Sequence, residues 1–267
     1  MSEHSRTYAI DSDEEFRRLE MQAQLARIDD HLRYVEFPNE ARVLDAGCGP
    51  GSMARLIART HPDATVTGID QREIYLDYAR IQAKSEGLKN VEFRQADVFE
   101  LPFSDATFDV VWTKYLLQWL KEPKLALAEM LRVTRPGGLI VSCDFADFMI
   151  EHYPVDAEFE RQIRQVMPGL VDPNVGRKVA GYMIALGLED VTVDIEADRV
   201  FTVVGRIDPE RRWNWEEQWR AARPEIAKIL SSEAEADKFL ERFFAHLDDP
   251  ATCTFTTLYF TRGRLPT

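Results

Sequence analysis

The sequence predicts an α/β fold built on a doubly wound, mostly parallel sheet, and three observations lead to it. Between residues 42 and 145, short apolar runs alternate with segments of helical periodicity, which is typical of a parallel sheet covered by helices on both faces. A glycine-rich turn, "GCGPG", follows the first of these runs. Aspartates also occur at or near the ends of four runs, as Asp45, Asp70, Asp97 and Asp144. Because ligands bind at the carboxyl ends of parallel strands, these carboxylates are expected along one functional edge.

The elements of this core follow one another at short intervals. Residues 11–35 carry an apolar stripe at helical spacing and predict a helix ahead of the sheet. The strands are predicted at "RVLDAG", "TVTGID", "VEFRQAD", "FDVVWTK" and "GGLIVSCDF". Helices are predicted between them at "SMARLIART", "REIYLDYARIQAKSEGL" and "PKLALAEMLRVT".

After residue 145 the alternation stops, and the rest of the chain is predicted to close the fold and to cap it. A helix at "VGRKVAGYMIALGL" is followed by strand-like segments at "EDVTVDIEADRVFTV" and, later, at "CTFTTLYFTRGR". The predicted organisation is a single domain over residues 1–267. Its parts are an N-terminal lid helix (1–38), a core (40–145), helical cap insertions (146–176 and 208–247), and a closing helix and strands (177–205 and 251–264).

Composition argues against several functional classes. The 46 acidic residues outnumber the 33 basic ones, and the net charge of −13 disfavours a nucleic-acid partner. The N-terminus lacks the apolar segment of a signal peptide, and no apolar run is long enough to span a bilayer, so a cytoplasmic protein without membrane contact is expected. Three widely separated cysteines and no clustered metal ligands predict no metal site. Composition leaves the oligomeric state open, and the tryptophans at 213, 215 and 219 could pack on the cap or in a homodimer.

The glycine turn by itself allows more than one interpretation. Its pattern approaches the dinucleotide fingerprint GxGxxG, with the acidic Asp70 about 20 residues further on. The sixth position is Ser52 rather than Gly or Ala, which weakens the prediction of an NAD-dependent oxidoreductase. A turn that only packs a strand against a helix is the structural alternative.

The wider context of the turn is more specific. "VLDAGCGPG", "GIDQ", "QADVFELPFSDATFDVV" and "RVTRPGGLIV" occur in this order over about residues 40 to 145. Together they resemble the class I S-adenosylmethionine (SAM)-dependent methyltransferases, in particular the branch that acts on small molecules. The resemblance implies a seven-stranded sheet, mostly parallel with an antiparallel last strand, and it implies SAM as the cofactor.

The resemblance also implies which residues hold the cofactor. Gly47 and Gly49 would let the backbone approach the amino-acid part of SAM. Asp70 would accept hydrogen bonds from both ribose hydroxyls, because a carboxylate offers two acceptor oxygens. Asp97 would accept from the adenine amino group. The remaining expected cofactor contacts around the sheet edge are Asp45, Gln71, Val98 and Lys114.

The N-terminal segment resembles the lid helix that precedes the first strand in many small-molecule methyltransferases. Tyr8 would lie over the site, and Arg18 or Gln22 would meet the carboxylate of SAM. The structural alternative is an amphipathic helix with a solvated polar face.

An acceptor pocket is expected next to the fourth and fifth strands, where aromatic residues are frequent. The residues expected to contact the acceptor are Tyr115, Trp119, Phe145, Phe148 and Tyr153. His152 is the candidate general base, for an acceptor that must lose a proton before it can attack.

The predicted function is methyl transfer from SAM to a small, partly apolar or aromatic acceptor through O, N or C, by in-line displacement. Catalysis would come mainly from positioning the reactants and excluding water. The alternative is a SAM-binding regulatory or scaffold protein that transfers no methyl group. The sequence does not name the acceptor.

Overall fold

The computed structural model describes residues 15–267, which form one mixed sheet with helices around it. The strands are β1 (Arg42–Ala46), β2 (Thr65–Asp70), β3 (Val91–Gln95), β4 (Phe108–Lys114), β5 (Thr134–Tyr153), β6 (Glu189–Ala197), β7 (Val203–Val204) and β8 (Cys253–Arg264). The helices are α1 (Glu15–Ala26), α2 (Ser52–Thr60), α3 (Glu73–Ser85), α4 (Pro123–Val133), α5 (Ala157–Leu170), α6 (Gly176–Ala185), α7 (Pro209–Leu230) and α8 (Glu233–Asp248).

The strand order is β3-β2-β1-β4-β5-β8-β6, with the two-residue β7 added beside β8. Strands β1 to β5 pair in parallel, and β8 runs antiparallel to its neighbours β5, β6 and β7. The predicted sheet, mostly parallel with an antiparallel last strand, is therefore confirmed. The strand order reverses between β1 and β4, so the ends of these two strands border a crevice suited to a ligand.

The central strands are buried on both faces, which explains why their sequences are nearly continuous apolar runs. In β1, Val43 packs into one apolar layer and Leu44 into the other. In β4, Trp112 packs into the same layer as Val43, and Val111 packs into the same layer as Leu44. Removal of both faces from water stabilises the strands whose ends form the site.

Strand β5 continues eight residues beyond the predicted end at Phe145, so part of the predicted cap at 146–176 is wrong. The strand continues because β8 pairs with it again at residues 151–153, after a bulge in which Asp147 and Met149 adopt left-handed backbone. Only α5 and the start of α6 are helical in that region. Local periodicity could not show this pairing, because the partner strand lies about 100 residues away.

The N-terminal segment also differs from the single helix predicted over 11–35. Helix α1 ends at Ala26, where Arg27 takes a left-handed conformation, and a 3-10 helix then spans Ile28–Tyr34. Residues 11–14 of that prediction lie outside the described part of the chain.

Helices α7 and α8 form the second helical segment and pack their aromatic residues inward. Trp215 and Trp219 are buried against Phe243, with ring centroids 5.2 and 4.8 Å away. These two tryptophans therefore pack within the cap, whereas Trp213 is partly exposed. In residues 15–267, no helix combines the length and the apolar character needed to cross a membrane.

Candidate functional site

The glycine turn between β1 and α2 has the backbone conformation that its sequence predicts. Gly47, Gly49 and Gly51 have φ values of 74°, 53° and 80°, a region that other residues seldom adopt. At Gly47 and Gly51 a Cβ would come within 3.0 Å of neighbouring side chains, so these positions are closely packed. At Gly49 the nearest such atom is on Leu19, 3.9 Å away, so this part of the turn borders open space.

Asp70, the last residue of β2, is tied to this turn. Its Oδ2 accepts a hydrogen bond of 2.9 Å from the backbone N–H of Gly49, and its Oδ1 accepts one of 2.9 Å from Arg72. Burial raises the pKa of the Asp70 carboxyl, and these backbone N–H donors oppose that shift. Each oxygen keeps further acceptor capacity toward the space above the turn.

One cavity of about 470 Å³ connects the turn, the ends of β1, β2 and β4, helix α1 and the cap. This volume lies within the range of small-molecule sites. The residues named from the sequence that line it are Arg18, Gln22, Asp45, Gly47, Gly49, Asp70, Gln71, Val98, Lys114, Tyr115, Trp119, Phe145 and Phe148. Most of the expected cofactor and acceptor residues are thus brought to one space.

His152 is not brought to this cavity. It is buried between the extension of β5 and helix α8, where one ring nitrogen lies 2.9 Å from Thr254 Oγ1 and the other 3.0 Å from the Met149 carbonyl oxygen. Burial lowers its pKa to about 4. Its position and its two satisfied nitrogens do not fit the expected general base, because β5 carries it beyond the site.

Other expected residues also lie elsewhere. Tyr153 is 72% exposed at the tip of β5, away from the cavity. Asp97 does not line the cavity, and its Oδ1 accepts a hydrogen bond of 3.0 Å from the backbone N–H of Phe99. Asp144 is buried within the long β5 and accepts from Ser142, so it does not join the functional edge. Tyr8 lies outside the described residues.

The end of the cavity away from the turn is aromatic. Tyr115, Phe145 and Phe148 form a continuous stack, with successive ring centroids 4.2 and 4.4 Å apart. Phe201, from the segment between β6 and β7, stands perpendicular to Phe145 and Phe148 at 5.4 and 5.0 Å. Flat rings on two sides make this end suitable for an apolar or aromatic group.

The segment between β6 and β7 holds this stack through a partly buried hydrogen bond. The hydroxyl of Tyr115 donates to Asp198 Oδ2 at 2.6 Å, and Asp198 Oδ1 accepts from the N–H groups of Val200 and Phe201, each at 2.8 Å. Asp198 therefore fixes both Tyr115 and the segment that carries Phe201. No pattern in the sequence pointed to Asp198.

Tyr115→Phe is expected to lower the free energy of unfolding by about 1–3 kcal/mol, because it leaves one oxygen of a buried carboxylate without its donor while the aromatic stack is kept. Tyr34→Phe is the matched control, since Tyr34 also stacks on a phenylalanine but its hydroxyl bonds only the exposed Arg33. The control is expected to cost less than about 0.5 kcal/mol. Urea unfolding of both variants checks this, and equal losses would contradict the role of Asp198.

Arg18, in helix α1, reaches the cavity but is already engaged by its neighbours. Its guanidinium donates to both oxygens of Glu15 at 2.6 and 2.8 Å, to Gln22 at 2.6 Å and to Asn214 of α7 at 3.1 Å. The geometry makes Arg18 a tie between the N-terminal helix and the cap. The solvated helix face does not fit Arg18, which is buried, whereas its contact with the cofactor stays a prediction because Arg18 lines the cavity.

Several cavity residues were not identified from the sequence. They include Tyr75 from α3, Gln118 after β4, Phe201 after β6 and Gln218 from α7. Gln118 and Gln218 had no distinguishing motif, and Phe201 lay in a segment predicted only as strand-like. Phe201 and Gln218 come from distant segments, whereas Tyr75 and Gln118 follow closely after strands β2 and β4.

Comparison with known proteins adds a family assignment to this geometry. The family described as "Methyltransferase domain" matches residues 38–191, more than half of the chain. An uncharacterised methyltransferase of Schizosaccharomyces pombe is 35% identical over 164 residues, covering 57% of this chain and 58% of the relative. The 27-O-demethylrifamycin SV methyltransferase of Amycolatopsis mediterranei is 38% identical over 133 residues, covering 49% and 47%. The chain thus spans about half the length of the curated relatives it matches.

Solved structures share the fold at low sequence identity. A phosphoethanolamine N-methyltransferase 2 of Haemonchus contortus, in complex with phosphomonomethylethanolamine and S-adenosylhomocysteine, is 18% identical with a TM-score of 0.61. The match covers 96% of this chain and 58% of that one. The [4+2]-cyclase SpnF is 20% identical with a TM-score of 0.58, and the match covers 92% of this chain and 82% of the cyclase. At these identities the likeness shows the fold alone.

Proposed function

This chain belongs to the methyltransferase domain family of SAM-dependent enzymes, and from this premise we propose that it transfers a methyl group from SAM to a small, partly apolar or aromatic acceptor. The observation that carries the proposal is the single cavity, which joins the glycine turn and Asp70 at one end to the aromatic stack at the other. A donor and an acceptor bound at these two ends would share one enclosed space. The acceptor atom that attacks the methyl group, O, N or C, is part of the proposal.

The cofactor end has the features that SAM requires. The turn borders open space at Gly49, which permits close approach of a ligand to the backbone. The Asp70 carboxylate, held by two backbone N–H groups, is positioned to accept from two ribose hydroxyls. Gln71 and Val98 line the same end and would flank the base. The adjacent Asp97 does not itself line the cavity, and its contact with the adenine amino group stays a prediction.

The acceptor end supports catalysis by positioning. SAM supplies an electrophilic methyl group on a sulfonium centre. The sulfur departs as a neutral thioether, which is a good leaving group. The protein then needs to align the acceptor and to exclude water, and the stack of Tyr115, Phe145 and Phe148 offers rigid walls for both tasks. His152 has no part in this scheme, since it lies outside the cavity.

SAM affinity is expected to rise about tenfold between pH 6 and pH 8. Burial raises the pKa of Asp45 to about 7, and this residue lines the cavity beneath the turn. Below that pH the carboxyl is mostly protonated and neutral, so its attraction for the cationic cofactor is lost; above it the carboxylate is charged. Calorimetric titration of SAM at several pH values checks this.

Two variants separate Asp45 from other titrating groups. Asp45→Asn should flatten the pH dependence. Asp144→Asn should retain it, because Asp144 shares a pKa of about 7 but does not line the cavity. An Asp45→Asn variant whose SAM affinity still changes tenfold with pH would exclude this carboxylate as the cause.

The alternative, a SAM-binding regulatory or scaffold protein, would present the same cofactor end. The likeness to a [4+2]-cyclase supports keeping it, because one fold can serve different activities. Incubation with methyl-labelled SAM and a panel of hydroxylated and aminated aromatic compounds tests for transfer. If the methyl label appears in an acceptor product with the wild-type chain but not with the Asp70→Ala variant, the result supports a methyltransferase. SAM binding with no transfer to any compound favours the alternative, and binding of NADH but not SAM contradicts both.

A further inference from the structure

Lys114 is the last residue of β4 and lies at the centre of the site. Ala46 of β1 pairs with Thr113 of β4, so the next residues, Gly47 and Lys114, adjoin at the ends of these two strands. Lys114 also lines the cavity. Its side chain therefore stands between the glycine turn and the aromatic stack, where the two proposed ligands would meet.

The ammonium group of Lys114 has an unusual environment for a partly buried cation. Its Nζ lies 3.1 Å from the centroid of the Tyr115 ring, a cation–π contact. Within the described part of the chain no carboxylate forms an ion pair with it, although Asp45, Asp144 and Asp198 act on it from a longer range. Burial lowers the pKa of Lys114, which means that the charged form lacks full compensation.

Arg18, the cation that α1 contributes to the cavity, is differently placed. Arg18 is bound on two sides by Glu15 and is also bonded to Gln22 and Asn214. It serves the contact between lid and cap. The amino-acid part of SAM, expected beside the turn, would bring a carboxylate close to Lys114 rather than to a free guanidinium of Arg18.

We propose that Lys114 forms a carboxylate-binding subsite in this cavity. The inference rests on the proposed function and deepens it, because the carboxylate comes either from the methionine part of the cofactor or from an acidic acceptor. An ammonium that is already desolvated gains more from an opposite charge than an exposed one does. The planar stack beside it would accept the apolar part of an aromatic acid.

Lys114→Met removes the charge and keeps most of the side-chain volume. We expect its affinity for S-adenosylhomocysteine to fall by at least about tenfold in calorimetry, with the affinity for the decarboxylated analogue unchanged. Lys114→Arg should restore most of the loss, and Lys124→Met, which removes an exposed lysine, should have no effect. Lys114→Gln replaces the methionine variant if that variant does not fold, as judged by its circular dichroism spectrum.

A second arm identifies the source of the carboxylate. If Lys114→Met leaves S-adenosylhomocysteine binding unchanged but abolishes binding of benzoate to that complex, the subsite serves the acceptor. The proposal is overturned if neither ligand loses more than about twofold, or if the decarboxylated analogue loses as much as S-adenosylhomocysteine. If Lys114 acted only through long-range electrostatics, its removal would strengthen the binding of the decarboxylated analogue, because that ligand keeps its positive ammonium group but has no carboxylate.

Failure of the proposed function itself gives a different result. If the wild-type chain binds S-adenosylhomocysteine but transfers no methyl group, the proposed function fails, and the Lys114 variants still test the subsite. If the wild-type chain binds neither S-adenosylhomocysteine nor its decarboxylated analogue, both the proposed function and the subsite are overturned. Wild-type binding of S-adenosylhomocysteine, with unchanged affinities for both S-adenosylhomocysteine and benzoate in the Lys114 variants, would overturn only the subsite.

Discussion

Asp70→Ala is expected to weaken SAM binding by about a hundredfold or more while the chain stays folded. The carboxylate is proposed to accept two ribose hydroxyls, and hydrogen bonds to a charged group contribute about 1.5–3 kcal/mol each. Loss of two such bonds corresponds to at least about two orders of magnitude in affinity. The same substitution releases the Gly49 N–H, so the turn that faces the ligand also loses a restraint.

The fold should survive because Asp70 lies at the rim of the sheet rather than within a core layer. Its loss costs the two backbone hydrogen bonds but also removes a carboxylate whose burial is unfavourable, as its raised pKa shows. The stability loss is expected to stay near about 1–2 kcal/mol.

Calorimetry with SAM and thermal unfolding measure the two quantities separately. Asp77→Ala, which removes an exposed aspartate paired with Arg80, is the matched control and should leave SAM affinity unchanged. An Asp70→Ala variant with wild-type affinity would refute the assignment of the cofactor end.

Gly51→Ala is expected to reduce the free energy of unfolding by roughly 2–5 kcal/mol. Two costs combine at this position. The backbone has φ of 80°, which is unfavourable for alanine, and the added Cβ would lie 2.7 Å from the Phe93 ring and 2.8 Å from Ala79 Cβ. The turn is thus packed against α3 and β3, and a methyl group there forces them apart.

Gly87→Ala separates the two costs. Gly87 has a similar φ of 70°, but an added Cβ there meets nothing within 4 Å. Only the backbone term remains, about 1–2 kcal/mol. Urea unfolding of both variants provides the comparison. Equal losses would show that close packing at Gly51 contributes nothing to stability.

The part of the site next to the turn could be predicted because its residues are fixed by local structure. Gly47, Gly49 and Asp70 each follow directly from the end of a strand, and parallel strands bring their carboxyl ends to one edge. Lys114 belongs to the same class, since it ends β4 beside the turn. The prediction failed for Asp144 and His152 because β5 does not end where its apolar run ends.

The cap side of the site could not be predicted in the same way. Asp198, Phe201 and Gln218 reach Tyr115 and the cavity from segments more than 80 residues away. Each lies in a stretch whose periodicity indicates only a helix or a strand. Which of its side chains face the cavity depends on how the cap is seated on the sheet.

The sequence by itself determined the alternation of strands and helices, the glycine turn and the acidic strand ends, because short-range spacing and backbone sterics control them. The methyl donor was indicated by the resemblance that the ordered motifs carry. The tertiary structure alone decided that β8 extends β5, that His152 is withdrawn from the site, and that Asp198 anchors Tyr115 beneath the cap. These outcomes depend on pairing and packing between distant segments. Burial of apolar surface selects such contacts only when the whole chain folds.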